Sequence, residues 1–592
     1  MGYASYQMSG RYLRFIFALA LVIGGYLLGL ERMGEKEKSI QDAQVEEEIQ
    51  RLLRLKQAGR QSEAGWQSIV DEPLFPEVSR EAAPKADWLA LIREKVPKLT
   101  HDRGNFLPMI SWECCTRDPL KPEDIQMLLD RGLTQFIRLE EKEIPTALAL
   151  QKAGSPVIIM QGKIGIWPYP LAGDAKQWAH QYPEEVSENQ PGEEASANPS
   201  EPGASQKSSR GDRPTPSEER PEKKWAGEPM PLHIQGWHKA ADEFRRRLQV
   251  FKKAGVTLDA AWFDYENRPG GSPLAAALTS PSSRKSLPSE ALKSDHHYYL
   301  YTRQLWSQLL SAYVAAPFRE FYPEISITNW VITFSTPEFP AYSFTNRPHP
   351  TVGPTLFTAS NPIAYAIDIF YLNTWDEAFP LDRDHVDQFY MHLMLRQVSA
   401  DAFNRKKMAP YVKSYPWVGR WVPETGLRSA PVMSRRRYRE ALRHLWLRDV
   451  DGMQLFNSQR GANVDLAVYE LQDAVAVFDE MLAYGEILEK GEAMNLHSPK
   501  MQQDTAFWSG KRYKDQAVVR VVNLGPKDDS VVLRPWRGFA IVLPVPREGA
   551  TYQLRLNREA GHIQIIDQMR GEGSVSKNLS TETPTGSGLK PL

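Results

Sequence analysis

The sequence predicts an α/β chain: a (β/α)8 TIM barrel followed by a small antiparallel β-domain, with an N-terminal membrane anchor in front. Three observations predict it. Between residues 101 and 490, eight short apolar runs alternate with helical patterns, the rhythm of βα units around a parallel sheet. One of these runs, 258–266 (LDAAWFDYE), is apolar along its length and acidic at its end. That suits a barrel strand whose core lies below and whose chemistry sits at the C-terminal mouth. Beyond residue 505 the pattern changes to β-branched runs joined by Gly- and Asp-rich turns.

At 592 residues the chain has room for two or three domains. Its 72 basic and 73 acidic residues leave a formal charge of -1, so no basic footprint for nucleic acid is present. Residues 1–35 read as a signal anchor. Arg11 and Arg14 precede the apolar stretch 15–30, and no small-residue cleavage site follows it. With the arginines held inside, the chain is membrane-bound through this segment and its body lies outside the cytoplasm. A cleaved, secreted form is the alternative. Residues 36–100 form a charged stalk and an irregular, proline-containing lead-in. The two cysteines, Cys114 and Cys115, are adjacent, so they pair with each other or stay as thiols, and no zinc pattern is completed.

The strand candidates, in order, are 106–113, 134–140, 156–161, 258–266, 325–331, 367–375, 408–415 and 451–457. Helical periodicity lies between them, as in Tyr438, Leu442, Leu445 and Trp446. Gly132 and Gly255 close two of the helices just before the next strand. The stretch 332–363 between strands five and six reads as a long loop. Residues 183–228 are rich in Pro, Glu, Ser and Gly, too poor in apolar surface to offset their ordering entropy, and read as a disordered insertion after strand three. Residues 505–558 make the β-domain, and 571–592 a disordered tail.

Side chains two apart on a strand share a face, so Trp262, Asp264 and Glu266 point the same way. The other expected strand tips contribute Trp112 and Glu113, Asn329, then Tyr371, Asn373, Trp375 and Asp376, Lys413 and Tyr415, and Asn457. Aromatic faces that stack and polar groups that read hydroxyls are what a glycan site needs. No Gly-rich phosphate loop, metal cluster or Gly-x-Ser-x-Gly elbow occurs, so no cofactor or metal is expected. The pair His296–His297 reads as a solvated helix start. Two carboxylates as near as Asp264 and Glu266 cannot both ionise freely, so one is held protonated, as a general acid requires.

Asp259-x-x-Trp262-x-Asp264-x-Glu266 resembles the Asp-x-x-Asp-x-Asp-x-Glu signature on strand four of family 18 chitinases, with Trp262 in place of the second Asp. Asp264-Tyr265-Glu266, with Arg268-Pro269 behind it, is also similar to the Asp-Trp-Glu tract of family 56 hyaluronidases. These resemblances imply a retaining glycoside hydrolase in which Glu266 is the general acid and Asp264 steadies a substrate N-acetyl group acting as nucleophile. Asp259-x-x-Trp262-x-Asp264 resembles family 31 α-glucosidases as well, which implies Asp264 as nucleophile and Asp376, from strand six, as acid. A third reading is a non-catalytic carbohydrate-binding or cell-envelope protein on a barrel scaffold.

Overall fold

The computed structural model describes residues 88–111, 120–161, 234–263, 274, 278, 287–329, 333–334, 339, 358–365, 382–420, 432–456, 464–499, 506–523, 529–546, 549–570 and 574–575. The expected anchor, residues 36–87 of the expected stalk and lead-in, the 183–228 insertion, the cysteine pair, and residues 571–573 and 576–592 of the expected 571–592 tail lie outside these residues; the end of the lead-in is not irregular but holds a helix, Trp88–Lys95, and the start of the tail holds a short strand, Ser574–Val575. Among the described residues no helix is long and apolar enough to cross a membrane, so the anchor expectation finds no support here.

Eight parallel strands form a ring. They are β1 Met109–Ser111, β2 Leu133–Gln135, β3 Ile158–Gln161, β4 Ala260–Phe263 and β5 Ser326–Asn329. After these come β6, in two pieces Ala359–Ser360 and Ile363–Tyr365, β7, in two pieces Lys413–Ser414 and Trp417–Gly419, and β8 Gln454–Leu455. Ladders join β1 to β2, β3 to β4, β4 to β5, β6 to β7 and β7 to β8. Ile137 bridges to Ile159 beyond β2, and the Thr358 N–H donates to the Ile327 carbonyl at 2.9 Å. The ring closes where Ile110 and Ser111 of β1 pair with Gln454 and Leu455 of β8. A closed ring leaves no strand edge open to another chain.

Around the ring stand α1 Trp88–Lys95, α2 Pro122–Leu129, α3 Ile144–Lys152, α4 Ile234–Lys253 and α5 Asp295–Leu309. A π-helical turn, Leu310–Ala315, carries α5 into α6 Ala316–Phe321. Then come α7 Arg383–Met408, α8 Arg435–Trp446, α9 Val464–Leu482 and α10 Gly485–Lys490. Local chemistry sets the ends. Asp382 caps α7 by accepting the His385 N–H at 3.0 Å, and Ser434 caps α8 by accepting the Arg437 N–H at 3.1 Å. Gly132, with φ +65°, turns the chain from α2 into β2, and a Cβ there would lie 2.8 Å from Leu99.

Two strand expectations need correcting. A strand expected to be loop is found at 359–365 and takes the sixth place in the ring, while the expected 367–375 falls in residues 366–381, which lie outside those described. Strand seven does not end at Tyr415. Helix α7 runs through Met408, and β7 continues past a break at Tyr415–Pro416 to Gly419. Both strands break at a proline, Pro362 and Pro416, because proline offers no N–H to a ladder. Their carbonyls still serve: Pro362 accepts the Trp417 N–H and Pro416 the Gln454 N–H, each at 2.9 Å.

The outer ends of β6 and β7 are tied down by one carboxylate. Asp401 of α7 is fully buried and accepts from the hydroxyls of Ser360 and Ser414, each at 2.8 Å, and from the Phe334 N–H at 3.1 Å. Burial pushes its pKa up against the opposing pull of Arg405 and these hydrogen bonds.

The C-terminal domain is an antiparallel sheet of β9 Glu492–Ala493, β10 Ala506–Tyr513, β11 Gln516–Asn523, β14 Ala550–Asn557, β15 His562–Arg570 and β16 Ser574–Val575. A ribbon of β12 Asp529–Trp536 and β13 Phe539–Val545 packs on it through Leu533, Trp536, Leu543 and Val545. The sheet thus extends past the expected limit at residue 558. It is joined to the barrel by a buried polar cluster. Arg520 of β11 donates to both carboxylate oxygens of Glu440 on α8, at 2.8 and 2.5 Å. His444 lies 3.1 Å from Glu440 and 2.8 Å from the Ser509 hydroxyl, and Arg448 donates to Ser509 at 3.0 Å and to the His497 carbonyl at 2.7 Å.

Candidate functional site

The strands divide their side chains between two cores. Ala261 and Phe263 of β4 belong to the layer between strands and helices, where Phe263 meets Phe244 and Phe318 edge-on. Ala260 and Trp262 belong to a separate cluster inside the ring, with Ile110, Ile158, Met160, Ala359, Ile363, Tyr415 and Trp417. This is the period of two that a strand imposes, resolved into inside and outside.

The interior is aromatic. Trp262 lies 5.9 Å from Phe136 and 5.7 Å from Tyr415, centroid to centroid, both edge-on; Trp417 lies 6.1 Å from Phe136 and 6.1 Å from Phe456. Offset and edge-on pairs of this kind favour a fixed packing over a sliding one. Trp262 and Trp417 are fully buried, so they form a floor beneath the mouth of the barrel.

Two amides stand in this apolar floor. The Asn361 Oδ1 accepts from the Trp262 indole N–H at 3.2 Å and from the Gln454 Nε2 at 2.9 Å, and the same Nε2 donates to the Tyr415 carbonyl at 2.9 Å. Strands β4, β6, β7 and β8 are therefore linked across the interior. Neither amide is exposed, and the Asn361 Nδ2 and Gln454 Oε1 have no hydrogen-bond partner among the described residues. An unmatched buried polar group costs about 1–3 kcal/mol, so an apolar pair would pack here more cheaply. Sequence reading missed both residues. Asn361 was hidden by the Asn-Pro dipeptide, a turn signal, and Gln454 looked like an ordinary position in a half-polar strand.

The described residues place three of the expected site residues, and none at the mouth in the way expected. Tyr415 is buried in the floor, short of the end of β7; burial, reinforced by Asp451, pushes its phenol well above the ordinary value. Its ring also explains Gly452, where a Cβ would lie 3.0 Å from it. Lys413 begins β7 and is exposed at the opposite end of the strand from the mouth. Asn329 is fully buried, and its register partner in β4 is Phe263, whose side chain faces the helices. Residues paired across parallel strands share a face, so Asn329 is turned outward with it. The strand error at β7 accounts for Lys413 and Tyr415, and counting strand ends without an inside-outside assignment accounts for Asn329.

Asp264, Glu266, Trp112, Glu113, Tyr371, Asn373, Trp375, Asp376 and Asn457 lie outside the described residues. Asp376 was expected at the end of a strand at 367–375, and β6 lies upstream of it, at 359–365. His296 and His297 are exposed at the start of α5, where His297 lies 2.7 Å from the Ser294 hydroxyl. Among the described residues no group of three or more His, Cys, Asp or Glu side chains could hold a metal ion.

No protein-family model matches the sequence, and no curated protein matches it. Solved structures do resemble the fold, and those named here are glycoside hydrolases. A debranching enzyme from Nostoc punctiforme, soaked with acarbose, is 9% identical over 76% of this chain and 98% of its own, with a TM-score of 0.37. An alpha-amylase from Geobacillus thermoleovorans is 8% identical over 76% and 98%, with a TM-score of 0.36. A GH30 endoxylanase from Clostridium papyrosolvens is 10% identical over 77% and 95%, with a TM-score of 0.32. None of these three is a chitinase or a hyaluronidase. Likenesses this distant carry no argument about substrate, and the barrel assignment rests on the closed ring of strands.

Proposed function

We propose that the protein is a retaining glycoside hydrolase, with Glu266 as general acid and Asp264 assisting a substrate N-acetyl group. The observation that carries this reading is the alternation along β4. Ala260 and Trp262 face the barrel interior while Ala261 and Phe263 face the helices. Asp264 and Glu266 lie outside the described residues; on this reading the period of two carries on to them from Trp262 and turns both toward the mouth, where barrel enzymes place their chemistry. In this reading Glu266 is the acid that stays protonated and meets the leaving oxygen. The same reading keeps residues 15–30 as an anchor with the body outside the cytoplasm.

The full-length protein is to be assayed on a panel of N-acetylated and plain glycans by the appearance of new reducing ends. Glu266→Gln abolishes turnover and leaves binding intact; Asp264→Asn lowers turnover by about 10²-fold or more. If Glu266→Gln turns over like wild type while Asp264→Asn and Asp376→Asn are dead, the α-glucosidase-like scheme replaces this one. Glycan bound by wild type without any new reducing end supports the non-catalytic carbohydrate-binding reading instead. Cell fractionation tests the anchor: deletion of residues 15–30 is expected to move the protein from the membrane pellet to the soluble fraction.

A further inference from the structure

We propose that Arg138 is a substrate-binding residue at the mouth of the barrel, where its guanidinium pairs with the oxyanion of an acidic sugar, a uronate carboxylate or a sulfate ester. The inference deepens the hydrolase reading given above and rests on it for the mouth as the place where a glycan binds. The position of Arg138 follows from β2 and its continuation. Leu133, Ile137 and Leu139 belong to the layer between strands and helices, while Phe136 packs with the cluster inside the ring. The Ile137 N–H donates to the Ile158 carbonyl at 2.9 Å and the Ile137 carbonyl accepts the Met160 N–H at 2.8 Å, so the chain stays paired with β3 past the end of β2. Alternation then puts Arg138 on the interior face, one step beyond Phe136 toward the C-terminal end of the barrel. Met160, beside it on β3, belongs to the interior cluster, as a neighbour on that face should. At this place Arg138 is exposed.

Other cations around the end of β2 have partners. Lys142 pairs with Glu140 at 2.8 Å, and Arg247 donates to Glu243 at 2.6 Å and to the Leu139 carbonyl at 3.1 Å. Arg138 makes no hydrogen bond or ion pair among the described residues. Glu143, in the turn that follows, feels it only as the weakest of four influences, behind burial, Glu140 and Lys142. A guanidinium presents a planar fork of N–H donors that meets a carboxylate or sulfate with two prongs. Two half-buried rings stand on the same inner surface. Phe136 and Phe456 each lie 6.1 Å from Trp417, and Gly419, the interior position of β7 beyond Trp417, adds no side chain there. The described part of the mouth therefore offers apolar faces to a sugar ring and one cation at the rim. A neutral sugar stacks there equally well but leaves the guanidinium to water; an acidic one satisfies both.

The test measures binding by calorimetry on the full-length protein with three matched sets of oligosaccharides: uronate-containing chains, the same chains with their carboxyls reduced to alcohols, and the reduced chains carrying sulfate esters. Wild type is expected to bind one acidic set about tenfold or more tightly than the reduced set, and added salt narrows the gap. Which acidic set it prefers tells carboxylate from sulfate. Arg138→Gln loses about 10- to 100-fold in affinity for that set and leaves the reduced set unchanged; Arg138→Lys, which keeps the charge without the fork, falls between. Arg558→Gln, at an exposed arginine in the turn between β14 and β15, changes neither. Thermal midpoints of all three variants stay within about 2 °C of wild type, because surface positions without partners carry little stability. Equal affinity for acidic and reduced sets, binding of neither acidic set, or an Arg138→Gln variant that binds the acidic set like wild type overturns the proposal. Acidic glycan bound through Arg138 without new reducing ends sinks the hydrolase reading and leaves this one standing. Cleavage of acidic and reduced chains at one rate, untouched by Arg138→Gln, does the reverse.

Discussion

Replacing Arg520 by methionine removes the cation that makes a buried carboxylate tolerable at the seam between the barrel and the β-domain. Glu440 is fully buried on α8, and burial by itself works to raise its pKa; the charge of Arg520, then hydrogen bonds from His444 and Arg520, outweigh that and hold it well below the usual range. The pair is two-pronged, at 2.8 and 2.5 Å, and Arg520 is fully enclosed. Gly549 belongs to the same arrangement: it sits at φ +78°, and a Cβ there would fall 2.3 Å from the guanidinium. Taking away Arg520 leaves Glu440 out of water with only the longer Arg443 contact, at 3.4 Å, and His444, at a cost of about 3–5 kcal/mol. Arg520→Met is therefore expected to lower the thermal midpoint by about 5–10 °C at pH 7. Removing both charges, in Glu440→Leu/Arg520→Met, returns most of that loss, because the desolvation cost disappears with the attraction. Calorimetry and urea unfolding on the four members of the cycle measure both effects. A loss under about 1 kcal/mol for Arg520→Met, or a double variant as unstable as the single, refutes the account of the seam.

Other outcomes follow from the same residues. Burial, partly offset by the Glu440 hydrogen bond, pushes His444 down to about 4, so the folded protein keeps it neutral where the unfolded chain protonates first. Stability is then complete above about pH 6.5 and falls as the pH drops toward about 4, by roughly 3 kcal/mol, and His444→Gln flattens that slope in unfolding titrations across the window. Asp401→Ala leaves the Ser360 and Ser414 hydroxyls and the Phe334 N–H without their acceptor and is expected to cost about 2–4 kcal/mol in urea unfolding. Asp401→Asn retains one acceptor oxygen and costs less. Ser434→Ala removes both the cap of α8 and a hydroxyl donor to Asp387 at 2.5 Å, and is expected to lose about 1–2 kcal/mol by the same measurement.

The local pattern of the chain already carried the barrel. Alternating apolar runs and helical periods, Gly132 after a helix, and the apolar body of 258–263 each reflect forces that act between near neighbours in sequence, so they can be read without coordinates. What that pattern misplaced were the two strands interrupted by proline. Asn361-Pro362 and Tyr415-Pro416 have the composition of turns, yet their proline carbonyls accept N–H groups from the neighbouring strands, which draws both segments into the ring. Local preference was overruled there by long-range pairing, which no window of sequence contains.

By itself the sequence determined which segments alternate and where the apolar faces fall, since those depend on spacing alone. Only the tertiary structure decided which face is the inside, that Tyr415 lies in the floor and Asn329 turns outward, and that Asn361, Gln454 and Trp262 meet across the barrel. Those contacts join residues separated by 93 and 99 positions, and the Arg520–Glu440 seam joins residues 80 apart. The physical reason is that closing a ring brings opposite walls together, and the partner a buried polar atom finds is set by that closure rather than by its neighbours in the chain.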